Sequence, residues 1–155
     1  VAYALARAGW TVVIVARRPE QAARLAADLE EALVGGKISQ PRLYPRQRVH
    51  PLLPGAPARF SGLSPSLVVN ATPVGMSPDR SASPWPDGLP FPEGGSVYDL
   101  VYQPEETPLV SRARAAGLRA ANGLGMLVEQ AALSFTAWTG QVAPVEAMRR
   151  AVELK

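Results

Sequence analysis

The sequence predicts an α/β fold: a Rossmann-like, doubly wound parallel sheet, incomplete at its start and followed by C-terminal helices. Three observations predict it. The continuous apolar, β-branched run Thr11–Ala16 (TVVIVA) reads as a parallel strand buried on both faces, Leu67–Ala71 (LVVNA) as another buried strand, and Ser96–Val101 (SVYDLV) as a third strand. Segments with apolar residues at helical spacing alternate with these runs. Glycine and proline punctuate the joints, and alternating strands and helices form βαβ units with right-handed crossovers.

In chain order, Val1 to Ala8 reads as a helix, with Leu5 and Ala8 following Val1 at helical spacing and Gly9 as the stop. That helix has neither a Met nor a cap before it, so a preceding segment is expected. After the TVVIVA strand, Pro19 opens a second helix, whose stripe is Ala22, Leu25, Ala26, Leu29 and Leu33 and whose end is Gly35-Gly36. Residues 37–65 hold Pro41, Pro45, Pro51, Pro54, Pro57 and Pro65 with little periodicity. They read as mostly loop, with a short strand near Arg42–Tyr44 or Gln47–His50 as an option. Beyond the LVVNA strand, residues 72–95 form a Pro/Gly-rich loop. Thr107–Ala116 is a helix stopped by Gly117, Leu118–Ala121 a short strand, Gly123–Thr139 a long helix and Pro144–Leu154 a closing one. The apolar stripe of the long helix is Leu124, Leu127, Val128, Ala131, Phe135 and Trp138.

Composition narrows the classes. The chain has 155 residues, 47% hydrophobic and 19% charged, enough for one domain with a core and too apolar for disorder. No apolar run is long enough to span a bilayer, and the N-terminus lacks the basic flank of a secretion signal. With Cys at 0, disulfides, zinc thiolates and thiol catalysis are excluded, which fits a cytoplasmic protein. His50 is the sole histidine, so no metal site is expected. The net charge of +3 is spread over single and paired basic residues, a pattern that argues against nucleic acid as a partner.

Ligands of open parallel sheets bind at the C-terminal ends of the strands. The segments there are Ala16–Arg18, Asn70–Met76 (NATPVGM), Asp99–Pro104 (DLVYQP) and Asn122–Met126 (NGLGM). Arg17 and Arg18 stand where an NAD-binding unit carries an acid for the ribose hydroxyls. Two guanidinium groups suit a phosphate and a flat base, which argues for NADP over NAD; the alternative is two solvated surface arginines, and the residues alone leave both open. Asn70, Thr72, Pro73 and Val74 leave the sheet in a turn that either underlies a cofactor or is an ordinary Pro/Gly turn. Met126 and Gln130 lie four apart on the long helix; Met can pack on a flat ring and Gln can bond a hydroxyl, or they are core filler and solvated surface. Tyr102 reaches the same edge or is half-buried packing.

NATPVGM at Asn70–Met76, DLVYQPEETPL at Asp99–Leu109 and GLGMLVEQAALSFTAWTG at Gly123–Gly140 occur in the order of the shikimate dehydrogenase family, which the chain resembles from Val1 to about Leu154. The resemblance implies NADPH-dependent reduction of 3-dehydroshikimate to shikimate, on the route to aromatic amino acids. Quinate/shikimate dehydrogenase and a non-catalytic NADP-binding module are the alternatives. By motif, Arg17 corresponds to the contact with adenine and the 2′-phosphate, with Arg18 beside it. Thr72, Pro73 and Val74, following Asn70, correspond to the loop beneath the cofactor. Val101, Gly123 and Met126 correspond to nicotinamide contacts, and Tyr102 and Gln130 to substrate contacts.

The resemblance further implies that residues 1–155 are a partial NADP-binding domain, with C-terminal helices over 123–154. The family's substrate domain, its catalytic Lys and Asp, and the glycine-rich loop with its strand fall outside the chain. The 155 residues alone are therefore expected to fold poorly and to lack turnover. The partners implied are the small-molecule substrate and copies of the chain as monomer or homodimer, with no nucleic acid or membrane. Three departures stand out. The family's Asn-Arg-Thr reads Ala16-Arg17-Arg18, an arginine three residues further on is Gln21, and Asn122 stands where Asp is frequent.

Overall fold

The structure is a computed structural model and describes residues 1–35, 50–52 and 65–153. The chain divides into two units, Val1–Gly62 and Leu63–Lys155.

In the first unit, α1 (Ala2–Arg7) leads through Gly9 to β1 (Val13–Val15), then α2 (Pro19–Gly35) and β2 (His50–Leu52). β1 and β2 pair in parallel, with Ile14 opposite Pro51, and α2 packs on both strands. α2 buries Ala22, Ala26 and Leu29 on one line, whereas Leu25 is 44% exposed because it lies at the edge of the expected stripe. Of the strand expected near Arg42–Tyr44 or Gln47–His50, only His50 is among the described residues, where it opens the strand His50–Leu52; residues 36–49 and 53–64 lie outside those described. A proline within a strand misled the sequence reading. Proline removes a ladder donor and is admitted where a strand is paired on one side only, and among the described residues β2 pairs with β1 alone.

The second unit is a three-stranded parallel sheet in the order β3-β4-β5, with β3 at Leu67–Asn70, β4 at Ser96–Asp99 and β5 at Arg119–Ala121. Its helices are α3 (Pro108–Ala115), α4 (Leu124–Thr139) and α5 (Val145–Glu153). Asn70 stands opposite Asp99, and Tyr98 opposite Ala121. β4 is central and carries the core residue Val97, 2% exposed. Burial, expected of the TVVIVA and LVVNA runs, holds least well where a strand has a single partner among the described residues. Leu67, Val68 and Val69 are half-buried, and Val15 of β1 is 42% exposed. α3 begins as its sequence dictates: the Thr107 hydroxyl accepts from the Val110 amide at 3.3 Å and Pro108 opens the first turn. It lays Leu109, Val110 and Ala113 on the sheet. α4 packs against α5 and buries Val128 and Ala132; Ala131 and Trp138 lie beside that line, so Trp138 is 85% exposed rather than part of the stripe. Among the described residues no helix is long and apolar enough to cross a membrane.

Two features fix the joints. Arg112 of α3 donates to the Trp85 carbonyl at 2.9 Å, the Pro86 carbonyl at 3.1 Å and the Asp87 carboxylate at 3.0 Å, with its guanidinium over the Phe91 ring. Phe91 stacks in turn on Trp85, centroids 5.2 Å apart. One arginine thus clasps the loop that runs from β3 to β4. Gly123, between β5 and α4, donates its amide to the Val101 carbonyl at 3.1 Å. A Cβ there would overlap the Leu100 carbonyl oxygen and come within 2.7 Å of its carbon, so only glycine lets the two backbones cross.

Arg112→Met should cost about 1.5–3 kcal/mol, because charge-assisted bonds to two backbone carbonyls are lost. Asp87→Ala should cost far less, its carboxylate being fully exposed. Thermal unfolding of both variants checks this; equal losses would place the stabilisation in the ion pair instead. Gly123→Ala should destabilise by roughly 1–3 kcal/mol, since the obstruction is backbone and cannot rotate away; an unchanged denaturation midpoint would contradict the close crossing.

Candidate functional site

Parallel strands deliver their C-terminal ends to one edge, and in the second unit that edge gathers Asn70–Met76, Asp99–Pro104 and Asn122–Met126. Backbone bonds tie the three segments together. The Leu100 amide donates to the Asn70 carbonyl at 3.0 Å, and the Gly123 amide to the Val101 carbonyl.

Beneath this edge is a buried polar cluster. Asp99 is 0% exposed. Its Oδ1 accepts from Asn70 Nδ2 at 2.8 Å and from the Val101 amide at 3.0 Å, and its Oδ2 accepts from the Thr107 hydroxyl at 2.6 Å. Asn70 spends its second amide hydrogen on the Val74 carbonyl at 3.1 Å. Its Oδ1 accepts from the Thr72 amide at 3.0 Å and the Thr72 hydroxyl at 2.7 Å. The amide of Asn70 is therefore saturated, two donors and two lone pairs, and it shapes the turn from within. The Val74 amide donates to Thr72 Oγ1 at 3.2 Å and closes the turn. Gly75, at φ +92, is buried with the Ala82 carbonyl 3.3 Å from where a Cβ would stand; both the backbone angle and the space call for glycine. Farther along the loop, the Ser81 hydroxyl and then the Ser81 amide hold the Asp79 carboxyl below its usual range.

Of the residues singled out from the sequence, Thr72 and Pro73 are exposed on the turn and Val74 is half-buried. Val101 is buried and Tyr102 is 45% exposed beside it. Gly123 and Met126 lie at the start of α4, with Met126 half-buried, and Gln130 is exposed one turn on. Arg17 and Arg18 lie in the first unit, exposed between β1 and α2, and among the described residues neither makes an ion pair.

Asp99 and Thr107 received no role from the sequence. The signals were present: Asp99 is in phase with buried Val97, and Thr107-Pro108 is a helix-start pair. The departure at Asn122 has a physical account. Its Nδ2 donates to the Glu105 carbonyl at 2.8 Å while its Oδ1 accepts from the Leu124 amide at 3.1 Å. A carboxylate would keep the second bond and lose the first.

Comparison with known proteins places this architecture. The family model of the shikimate 5′-dehydrogenase C-terminal domain matches residues 123–153. The NADP(+) shikimate dehydrogenase of Salinibacter ruber is 44% identical over 138 residues, covering 88% of this chain and 44% of the relative. The crystal structure of shikimate 5-dehydrogenase from Thermus thermophilus, in complex with NADP(H) and shikimate, superposes with a TM-score of 0.75 at 35% identity, over 99% of this chain and 49% of that one. Quinate dehydrogenase from Corynebacterium glutamicum, in complex with NAD, gives a TM-score of 0.80 at 28% identity, over 100% of this chain and 50% of that one. The chain thus spans about half the length of the relatives it matches. The match to the C-terminal domain, the identity across most of the chain and the shared α/β fold agree: the chain is similar to the C-terminal portion of the shikimate dehydrogenases.

Proposed function

We propose that residues 1–155 form the NADP-binding part of a cytoplasmic shikimate dehydrogenase that reduces 3-dehydroshikimate to shikimate with NADPH. The observation that carries this reading is the meeting of the Asn70–Val74 turn, Val101–Tyr102 and the Gly123–Met126 helix start at one edge of a parallel sheet. Those segments hold the residues that correspond by motif to the cofactor and substrate contacts. Shikimate is favoured over quinate because the relative at 44% identity is a shikimate dehydrogenase, whereas the quinate dehydrogenase is 28% identical.

The residues fit a phosphorylated dinucleotide. Arg17 and Arg18 precede α2, whose amides of Gln21 and Ala22 already turn back to the Arg18 carbonyl. Two exposed guanidiniums near a helix N-terminus suit the 2′-phosphate of the adenosine ribose, and the strand end itself carries no acid, Glu20 following in the first turn of α2. On the second unit, Thr72, Pro73 and Val74 would underlie the cofactor, and Asn70 would hold their shape. Gly123 has no side chain to obstruct, so Val101, Gly123 and Met126 offer an apolar wall to the nicotinamide. The bound cofactor would supply hydride to the carbonyl carbon. Tyr102 and the open amide of Gln130 would orient the substrate through its hydroxyls. In this reading the substrate domain, with the Lys and Asp that manage the proton, belongs to the rest of the gene product, and the 155 residues alone turn nothing over.

The complete gene product should oxidise NADPH when given 3-dehydroshikimate; NADPH binding without turnover would favour a non-catalytic module. Arg17→Ala should raise KM for NADPH about 10- to 100-fold and leave KM for NADH nearly unchanged, since only the former loses a charge-assisted contact. Equal effects on the two cofactors would remove Arg17 from the 2′-phosphate. Gln130→Ala should raise KM for shikimate or lower kcat while the NADPH dissociation constant stays put; weakened NADPH binding with normal shikimate kinetics would move Gln130 to the cofactor.

A further inference from the structure

We infer that Asp99 is a positioning residue for the nicotinamide end of the site, acting through Asn70 and Val101 and held in place by Thr107. The inference rests on the cofactor reading above and deepens it. Its basis is the number of elements that a single buried carboxylate joins. Oδ1 reaches across from β4 to Asn70 at the end of β3 and forward to the Val101 amide; Oδ2 reaches the Thr107 hydroxyl at the start of α3. Each partner is itself committed. Asn70 spends its remaining bonding capacity on Thr72 and Val74. The Val101 carbonyl takes the Gly123 amide, which sets where α4 begins. Thr107 caps α3 through Val110.

The chain of dependence is short. Moving Asp99 moves Asn70, and with it the turn Thr72–Val74. It also moves Val101, and through Gly123 the first turn of α4, where Met126 stands. These are the segments assigned to the cofactor. Close packing leaves no slack to absorb such a shift: Asp99 and Thr107 are both essentially fully buried, Gly75 abuts Thr107 with its hypothetical Cβ 3.6 Å from the Thr107 Cβ, and Gly123 abuts Leu100. Buried polar side chains with no orphaned atom hold a single arrangement, because any alternative strands a donor or acceptor away from water, and no buried side-chain nitrogen or oxygen among the described residues lacks a partner. An apolar side chain in phase with Val97 would fill the space but leave Asn70 Nδ2, the Val101 amide and the Thr107 hydroxyl without this acceptor. A carboxylate here does what an apolar residue cannot, which is to fix by direction the backbone of Val101 and the amide of Asn70.

The test compares Asp99→Asn, Thr107→Val and Thr107→Ser in the complete gene product. Thr107→Val removes one of the three bonds to Asp99 with little change of shape and serves if Asp99→Asn does not fold. Arg112→Met, in the last turn of α3 with its bonds to Trp85, Pro86 and Asp87, gives a destabilised control outside the cluster. The readouts are the thermal midpoint, the NADPH dissociation constant from nicotinamide fluorescence, and separate kcat and KM values. The expected result is that Asp99→Asn and Thr107→Val weaken NADPH binding or lower kcat on the order of 10- to 100-fold, as misplacement of a bound reactant does. Thr107→Ser should restore both, and Arg112→Met should lower the midpoint alone. A fall in the midpoint for the cluster variants with dissociation constant, kcat and KM unmoved would overturn the inference and leave Asp99 as a folding residue. If the unsubstituted protein binds no NADPH, the cofactor reading itself fails and this inference falls with it.

Discussion

The second unit depends on a buried carboxylate that must be satisfied. Asp99 lies at the end of the central strand, out of reach of water, and its oxygens can be left neither bare nor half-bonded without a cost of several kcal/mol. Three donors from three places meet that demand: a side-chain amide from β3, a backbone amide two residues on, and the hydroxyl that caps α3. Because the donors come from the end of β3, from the segment after β4 and from the residue that caps α3, satisfying these oxygens sets the relative placement of β3, β4 and α3. The turn that follows β3 is then hung from the same amide.

The glycines of this edge work in the same direction. Gly123 admits the Leu100 backbone at a distance that no side chain would allow, and Gly75 takes a left-handed backbone angle in a space bounded by the Ala82 carbonyl and Thr107. Polar bonds fix direction, and missing side chains permit contact. The result is an edge whose exposed surface, at Thr72, Pro73, Tyr102 and Gln130, rests on buried parts with little freedom to shift. A surface that must accept a flat, charged ligand repeatedly in one pose gains from such support, because ordering done during folding need not be done during binding.

The two groups of residues proposed as cofactor contacts are built differently, each within its own unit. In the second unit they rest on a lattice of short bonds. In the first, Arg17 and Arg18 are exposed guanidiniums beside a helix start, with no ion pair among the described residues to hold them. Arginine at an exposed position gains its strength from the ligand's own charge. In the proposed reading, discrimination between phosphorylated and unphosphorylated cofactor would fall to the arginines, and placement of the reacting ring to the bonded edge of the second unit.

Element order was legible in the chain before any fold was known. Continuous β-branched runs can be little other than buried parallel strands, and the helices between them carry their own stripes, caps and stops. The motifs around Asn70, Asp99 and Gly123 likewise marked the segments that share one sheet edge, because the ends of parallel strands must meet there. What pattern could not decide was how each side chain is used. Asn70 looked like a contact residue and is saturated from within; Asp99 and Thr107 received no role of their own and hold the cluster together; Trp138 fitted a stripe and faces outward; Pro51 looked like loop and sits in a strand. These outcomes turn on partners many residues away, 29 positions in the case of Asn70 and Asp99. Local pattern records which faces are apolar, whereas the satisfaction of a buried polar atom is a property of the assembled structure.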